Sequence, residues 1–398
     1  MSTPDIAPPT RIAVVVGTRP EAIKLMPVLR ELARRGPAVA VSIISTSQHT
    51  DLLAPLLAAL RIDVAHHLAI DRASGSLDQL LGSLLCALDP VLDAIRPDAI
   101  VVQGDTTSAL AGALAGFHRR LEVVHVEAGM RSGNPASPFP EEVNRRLITT
   151  LASRHMAATN RNVAALMAEG VAPDRIQCTG NTVVDAVRLM LEECPPSAEL
   201  STLLRRTAGR RLIVLTTHRR ENFGDVMVGH LGALGAFVDA HEDVVVVFPV
   251  HPNPAVQAAI ATAFRMPLRV QFVAPMLYPD FLHLLGASWL IVSDSGGIQE
   301  EAVTLGKPII VLRDTTERPE VLETGLGHLA GHDPGMLASL LNRHYTQLGL
   351  PRVQRKGRNP FGDGFASQRI VDSIVQIFRG ATAAPTEQPS HEQAAHHI

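Results

Sequence analysis

The stretch from Trp289 to Gly306, WLIVSDSGGIQEEAVTLG, constrains the fold of this chain more than any other. It opens with an apolar run, residues 289–292, of the length expected for a strand that is buried in a parallel sheet. Residues 298–305, beyond a short turn, have the pattern of a helix with one buried face. A buried strand, a tight turn and a helix are the repeating parts of a parallel α/β sheet.

The turn itself, Ser295-Gly296-Gly297, favours an anionic ligand. Two consecutive glycines let the backbone approach a ligand closely and leave the first N–H groups of the helix unblocked. Those N–H groups and the helix dipole attract a phosphate, and Glu301, about a turn further on, is placed to accept a hydrogen bond from a sugar hydroxyl. The alternative is a tight turn in which Ser295 only caps the helix.

The same alternation of strand and helix occurs twice along the chain. It begins at residue 11 and runs to about 178, and a second series begins at residue 212. Because 398 residues exceed one ordinary domain, we predict two doubly wound parallel sheets. The predicted units are residues 1–180, 181–365, a final helix at 366–380 and a disordered tail at 381–398, with a hinge near Gly180.

Composition excludes several classes of partner. A net charge of −3 without a basic stripe argues against nucleic acid, and no stretch reaches the ~18 apolar residues of a membrane span. The cysteines, Cys86, Cys178 and Cys194, have neither paired nor metal-ligand spacing. We therefore expect a cytoplasmic protein. GxGxxG and GxxxxGK[ST] motifs are both missing, so the sequence indicates neither dinucleotide nor P-loop chemistry.

Charged side chains follow the predicted strands of the first unit. Arg19 and Lys24 lie in GTRPEAIK after the first strand, at the sheet edge where ligands of α/β proteins bind. Asp105 and Glu127 end two consecutive strands, so both can reach the same crevice, and Glu141 begins a helix after Pro140. Two of these acids also have a structural alternative. Asp105 would suit the N-cap of a helix, and Glu141 would suit the first turn of a helix as an acid that opposes the dipole.

These motifs occur in a recognisable order. GTRPEAIK, GDTTS, VEAGMR, PFPEEVNR, THRREN and SDSGGIQEEA resemble the signatures of the non-hydrolysing UDP-N-acetylglucosamine 2-epimerases, over about residues 11–378. The resemblance implies two Rossmann-like domains that face each other across a cleft, the GT-B type, with the last helix crossing back to the first domain. It also implies a homodimer and no metal or redox cofactor.

The resemblance assigns roles residue by residue. It makes Asp105, Glu127 and Glu141 the catalytic acids and puts His218 on the diphosphate side. The nucleotide and sugar would be held by matching residues in both units: Arg19, Lys24, Phe281, Ser295, Gly296, Gly297, Glu301 and Arg318. The implied partner is a UDP-sugar.

The implied reaction explains the two-sided layout. No carbonyl acidifies the C2 proton of the sugar, so a carboxylate alone cannot remove it. As UDP leaves C1, positive charge grows there and the C2 proton becomes labile. One unit must therefore stabilise the departing diphosphate while the other exchanges protons. Elimination gives a 2-acetamidoglucal, and UDP adds back after protonation on the other face.

Two departures from the family pattern limit the interpretation. Thr50-Asp51 follows Gln48-His49 where many members have arginine in a site for a second, activating substrate molecule, and Met276 replaces a polar residue near the uracil. The alternatives are a hydrolysing epimerase, an epimerase of a modified UDP-GlcNAc, a GT-B glycosyltransferase and a catalytically silent nucleotide-sugar sensor. The acid cluster disfavours the last two.

Overall fold

The computed structural model describes residues 8–46, 50–70, 75–251, 253–263, 269–346 and 359–381. The predicted tail, 381–398, lies outside this part of the chain except for its first residue. Gln48 and His49 also lie outside it, and of Thr50 and Asp51 only the helical backbone is described. The prediction about a second substrate site therefore stays untested.

The first half folds into a seven-stranded sheet in the order β3-β2-β1-β4-β5-β6-β7. Its strand pairs are all parallel among the residues described. Val14 pairs with Ile43 on one side and with Val101 on the other. The strands are β1 (Thr10–Val16), β2 (Val39–Ser45), β3 (His66–His67), β4 (Ala99–Gln103), β5 (Glu122–Ala128), β6 (Arg154–Ala157) and β7 (Ile176–Cys178).

Helices cover both faces of this sheet because its central strands are apolar on both sides, as in β4, where every residue is buried. They are α1 (Arg19–Arg34), α2 (Thr50–Ala59), α3 (Leu77–Ile95), α4 (Thr107–His118), α5 (Glu141–Leu151), α6 (Asn160–Ala168) and α7 (Thr182–Glu193). The first, α1, starts with proline in its first turn, which has no N–H to leave unpaired.

The second half repeats the design with six parallel strands in the order β10-β9-β8-β11-β12-β13. The strands are β8 (Arg211–Thr216), β9 (Val244–Pro249), β10 (Val270–Val273), β11 (Leu290–Ser293), β12 (Ile309–Val311) and β13 (Gly327–Leu329). The helices are α8 (Ala198–Thr207), α9 (Asp225–Ala240), α10 (Pro254–Ala263), α11 (Tyr278–Ala287), α12 (Gly296–Leu305), α13 (Pro319–Glu323), α14 (Pro334–Thr346) and α15 (Ala366–Ala381).

The last helix, α15, returns to the first half and packs on α1 and α7, as the fold prediction required. Asp185 in α7 fixes its start. The Asp185 carboxylate accepts hydrogen bonds from the backbone N–H groups of Ala366 (3.2 Å) and Ser367 (2.8 Å) and from the Ser367 hydroxyl (2.6 Å). A carboxylate at this position satisfies N–H groups that have no partner within the helix. The exact domain borders remain a prediction.

Two details differ from the sequence-based expectation. The helix after the Ser-Gly-Gly turn starts at Gly296 rather than at Ile298, so both glycines belong to its first turn. Glu127 lies within β5 rather than after it, at a register shift between Val126 and Ala128 against β6. No helix in the described part of the chain is long and apolar enough to cross a membrane.

Candidate functional site

The candidate site lies where the strand order of each sheet reverses. In the first sheet this is between β1 and β4, and in the second between β8 and β11. Ligands of open α/β sheets bind at the carboxyl ends of the strands at such points. The turns found there carry Arg19 and Asp105 in the first half, and His218 and Ser295 in the second. The predicted residues of the two units therefore lie on facing edges.

Glu21, which sequence reasoning missed, joins the two turns of the first half. One of its carboxylate oxygens accepts the backbone N–H of Gly17 (3.0 Å), and the other accepts the hydroxyl of Thr106 (2.7 Å). Burial raises the pKa of Glu21 to about 7, although these hydrogen bonds oppose the shift. Gly17 itself must be glycine, because a Cβ there would lie 2.3 Å from the Ser108 Oγ.

Glu127 is held in an unusual backbone conformation and a dense ring of cations. Its φ of 64° is in the left-handed region, which side-chain-bearing residues rarely adopt, at the bulge in β5. Its carboxylate contacts Lys24 Nζ and accepts hydrogen bonds from Gln103 Nε2 (3.0 Å) and Arg145 Nη2 (3.2 Å). Burial favours protonation, but Lys24, Arg145 and Arg318 outweigh it and lower the pKa of Glu127 to about 2.

Asp105 forms an ion pair with Arg145, with 2.6 Å between its Oδ2 atom and Nη2. Its carbonyl oxygen also accepts a hydrogen bond from Asn144 Nδ2 (2.8 Å). The alternative role of Asp105 as the cap of α4 is wrong, because Thr106 caps that helix and accepts the N–H of Ala109 at 3.0 Å. The side chain of Asp105 is 23% exposed, so it lies at the edge of the cleft.

Glu141 is the first residue of α5 and is half-buried. Its pKa is raised, first by burial and then by the negative charge of Asp105, while Arg219 and Arg145 act in the opposite direction. Arg219, which follows β8, belongs to the second half, so a charge of that half acts on Glu141. The first-turn position also agrees with an acid that opposes the helix dipole, so both interpretations stand.

The Ser-Gly-Gly turn of the second half faces Arg318. Ser295 is the N-cap residue of α12, yet its side chain makes no capping hydrogen bond. A Cβ on Gly296 would lie 2.6 Å from Arg318 Nη1, so the guanidinium packs against the turn. A Cβ on Gly297 would meet no atom within 4 Å. Positive charge and helix N–H groups thus converge beside open space, as an anion site requires.

Glu300 links this turn to the first half and was also missed. Arg318 Nε donates to Glu300 Oε1 at 2.6 Å, and Lys24 Nζ lies 2.8 Å from Glu300 Oε2. All three side chains are at most 10% exposed. Because Lys24 also contacts Glu127, one lysine connects acidic groups of both halves. The sequence signal was the acidic pair Glu300-Glu301, of which only the second residue was selected.

Glu301 is buried and accepts a hydrogen bond from the hydroxyl of Tyr278 at 3.0 Å. Burial raises the pKa of Glu301 to about 7. Phe281 lies three residues after Tyr278 in α11, hence on the same helix face. Both Phe281 and Met276 are partly buried and pack against the hydrophobic core. The predicted contact of these two residues with the base stays untested.

His218 lies between a second histidine and a buried aspartate of its own half. The His218 ring stacks on His251, with 5.6 Å between the ring centroids, and its Nδ1 atom lies 3.4 Å from Asp294 Oδ1. Desolvation lowers the pKa of His218, Asp294 raises it, and Arg219, His251 and Arg19 lower it further. Arg19 of the first half is exposed, and its positive charge lowers the pKa of both histidines.

Further contacts tie the halves together away from this charge cluster. The Thr159 hydroxyl donates to Glu320 Oε1 at 2.8 Å, and Arg161 Nη2 lies 2.5 Å from Glu323 Oε1. Glu320 and Glu323 belong to α13, which begins directly after Arg318. The position of Arg318 therefore depends on how the first half meets this helix.

Comparison with known proteins agrees with the resemblance. Residues 30–375 match the protein family described as UDP-N-acetylglucosamine 2-epimerase. The UDP-N-acetylglucosamine 2-epimerase of Bacillus subtilis is 39% identical over 365 residues, covering 92% of this chain and 95% of the relative. The enzyme of Escherichia coli K12 is 37% identical over 369 residues, which cover 92% of this chain and 98% of the relative.

Solved structures have the same architecture. The chain matches a UDP-GlcNAc 2-epimerase from Neisseria meningitidis, bound to UDP-GlcNAc, with a TM-score of 0.86 and 34% identity over 92% of this chain and all of the other. A glycotransferase of kitacinnamycin shares the fold alone. It is 13% identical with a TM-score of 0.64, over 92% of this chain and 99% of the other. The two parallel-sheet halves thus have the GT-B type of arrangement that was predicted. The chain belongs to the UDP-N-acetylglucosamine 2-epimerase family.

Proposed function

We propose that this protein interconverts UDP-N-acetylglucosamine and UDP-N-acetylmannosamine without hydrolysis, by eliminating UDP and adding it back. The observation that carries the proposal is that three carboxylates of the first half lie opposite an anion-binding turn of the second. The first half presents Asp105, Glu127 and Glu141, and the second half presents an anion-binding turn with Arg318 and His218. An elimination that separates a cationic sugar from a diphosphate needs this pairing.

The second half binds the nucleotide. The N–H groups at the start of α12 and the Arg318 guanidinium hold the diphosphate, and Gly297 leaves space for it. Glu301, which already accepts a hydrogen bond from Tyr278, also accepts one from a ribose hydroxyl. Phe281 lies against the base. Arg19 closes on the diphosphate from the first half, opposite His218. Lys24 holds Glu127 and Glu300 together beneath the reacting sugar.

The acids of the first half have different environments, which suggests different tasks. Glu127 stays ionised because three cations surround it, so it stabilises the positive charge that grows at C1. Glu141 has a raised pKa and is suited to exchange a proton with C2. Asp105, which is partly exposed and held by Arg145, exchanges a proton on the opposite face of the sugar at C2. Two faces require more than one proton-exchanging group, and this set provides them.

The two halves exclude water from the intermediate. Lys24–Glu300 and Thr159–Glu320 bridge the halves on two sides, so the glucal and UDP remain enclosed together. UDP then adds back before water does. A hydrolysing epimerase is the second candidate, since it would use the same fold and most of the same residues.

Incubation of the protein with UDP-GlcNAc alone tests the proposal. NMR should detect UDP-ManNAc at equilibrium with UDP-GlcNAc, without free N-acetylmannosamine, in EDTA and without added NAD. Free sugar as the main product would establish the hydrolysing alternative, and no change in UDP-GlcNAc would overturn the assignment. A parallel run with a modified UDP-GlcNAc tests the substituents. A homodimer and a cytoplasmic location stay predictions, the former open to light scattering.

A further inference from the structure

Asp294 is a fully buried carboxylate beneath the candidate site that the proposed chemistry has not used. It is the first residue after β11 and has no exposed surface. An ionised carboxylate in such a place requires several donors to offset the loss of water. Its surroundings therefore show what it holds in place.

One oxygen of this carboxylate organises the loop after β8. Oδ2 accepts four hydrogen bonds, from the Thr217 hydroxyl (2.9 Å), the backbone N–H groups of His218 (3.0 Å) and Arg219 (2.9 Å), and Asn222 Nδ2 (3.0 Å). The loop that carries His218 is thus fixed without help from the other oxygen.

The other oxygen, Oδ1, is equally buried and makes no hydrogen bond to any described residue. The His218 Nδ1 atom lies 3.4 Å from it. A buried acceptor without a hydrogen bond is costly unless a donor can reach it, and a small rotation of the imidazole brings Nδ1–H into range. The other ring nitrogen of His218, Nε2, is then the one that is not directed at Asp294.

We propose that Asp294 is a positioning residue that keeps a proton on Nδ1 of His218 and thereby makes Nε2 the atom that meets the departing diphosphate. An aspartate behind Nδ1 fixes the tautomer of a histidine and stabilises its protonated form. When the C1–O bond breaks, its electron pair moves to the phosphate oxygen. Nε2–H of the imidazolium donates a hydrogen bond to the diphosphate, and no bond to His218 forms.

The groups around His218 make this arrangement responsive to the ligand. Burial has the largest effect and disfavours the imidazolium, as do Arg219, His251 and Arg19, whereas Asp294 favours it. Without a ligand the balance lowers the pKa of His218. A diphosphate brings negative charge among the same cations and offsets their repulsion, so that the ligand and Asp294 together oppose the effect of burial. We therefore expect UDP to raise the pKa of His218.

Ring ¹⁵N chemical shifts of His218 test the proposal directly, with the signal assigned by its loss in His218→Gln. We expect neutral His218 to carry its proton on Nδ1, and saturating UDP to raise its pKa. A neutral form protonated on Nε2, or a pKa that UDP leaves unchanged, would overturn the proposal. Because these readouts use the wild-type protein once the signal is assigned, they decide the question even if Asp294→Asn fails to fold.

Asp294→Asn provides the mutational test. Its amide oxygen can keep the loop donors, but its NH₂ then faces His218 and moves the ring proton to Nε2. We expect the pKa of His218 with UDP to fall by about one unit or more, and kcat to fall at least ~10-fold. Thr217→Val is the matched control, because it removes one donor to Oδ2 and leaves Oδ1 and His218 in place. It should keep the wild-type tautomer.

A double-mutant comparison separates positioning from loop stability. If Asp294 acts through His218, Asp294→Asn in a His218→Gln background should cost less than about threefold in kcat. An equal loss in both backgrounds would show that Asp294 only holds the loop. The proposal rests on the diphosphate site of the proposed function, but the tautomer needs no turnover. If the protein binds UDP but leaves UDP-GlcNAc unchanged, the proposed epimerase function is refuted, whereas the tautomer of His218 can still be measured and the proposal about Asp294 still tested.

Discussion

Glu300 and Glu301 are adjacent, buried and in the same helix, yet the structure predicts opposite consequences when each is replaced by glutamine. Glu300 lies between Arg318 and Lys24, at 2.6 and 2.8 Å. Glu301 has a neutral partner, the Tyr278 hydroxyl. The pair is an internally controlled test, because helix propensity, burial and side-chain volume are nearly the same for both.

Glu300→Gln should destabilise the protein strongly. Removing one charge of a buried ion pair costs about 3–5 kcal/mol, because the remaining charge is left without compensation. Lys24 keeps Glu127, and Arg318 keeps Glu317 at 3.4 Å, so we expect the lower end, about 3 kcal/mol. At about 2 °C per kcal/mol for a chain of this size, the melting temperature should fall by about 6 °C.

Glu301→Gln should instead stabilise the protein at alkaline pH. The pKa of Glu301 is raised from 4.5 to about 7, so folding disfavours its ionised form. Stability is therefore lost as the pH rises from 4.5 to 7, by about 3 kcal/mol in total at 1.36 kcal/mol per unit. Glutamine keeps an oxygen for Tyr278 and cannot ionise. The gain should approach 3 kcal/mol at pH 8, and about 2 kcal/mol of it should disappear by pH 5.5.

Urea unfolding at the two pH values measures both effects without ligand. Fluorescence of the single tryptophan, Trp289, follows the second half, and far-UV circular dichroism follows the whole chain. Equal midpoints for wild type and Glu300→Gln at pH 8 would refute the argument. So would a Glu301→Gln variant that is less stable than wild type at pH 8, or a gain that does not change with pH.

Three further predictions concern the site and its scaffold. Each of three variants, Asp105→Asn, Glu127→Gln and Glu141→Gln, should lower kcat by about 10²-fold or more, while its UDP affinity, measured by calorimetry, stays within a few-fold of wild type. Each variant should also slow the incorporation of deuterium at C2 in D₂O in step with turnover. A variant that exchanges C2 at the full rate without epimerising the sugar would exclude its carboxylate from proton removal. Gly297→Val should weaken UDP binding at least tenfold, about 1.4 kcal/mol, with little change in melting temperature, because its side chain enters open space. Asp185→Ala should expose the backbone N–H groups at the start of α15 to hydrogen exchange, and unchanged protection there would contradict its capping role.

Much of the fold could be predicted because the signals are local. A strand buried on both faces must be apolar throughout, so the run at residues 289–292 was predicted to be a strand, and β11 is buried along its whole length. Proline in the first turn of α1 suits that helix start. The errors fell where tertiary contacts decide, as at Glu127, whose left-handed conformation and bulge depend on the pairing of β5 with β6.

The candidate site divides in the same way. Asp105 and Ser295 could be selected because the carboxyl ends of parallel strands meet at one edge, whereas the roles of Glu141 and His218 came from the family resemblance. Glu21, Glu300 and Asp294 could not, since each resembles an ordinary helix or turn acid in the sequence. Their importance comes from partners that are distant in the chain, such as Thr106, Lys24 and the loop at residues 217–222.

The sequence by itself determined the two alternating units, the glycine turns at their edges and the acids that follow the strands. Periodicity and turn chemistry act within a few residues, so a single chain displays them openly. Only the tertiary structure decided which charges are neutralised: Glu127 enclosed by cations, Glu300 shared between halves, Glu301 left with a tyrosine. Charge interactions depend on distance and burial in three dimensions, and neither quantity is written in the order of residues.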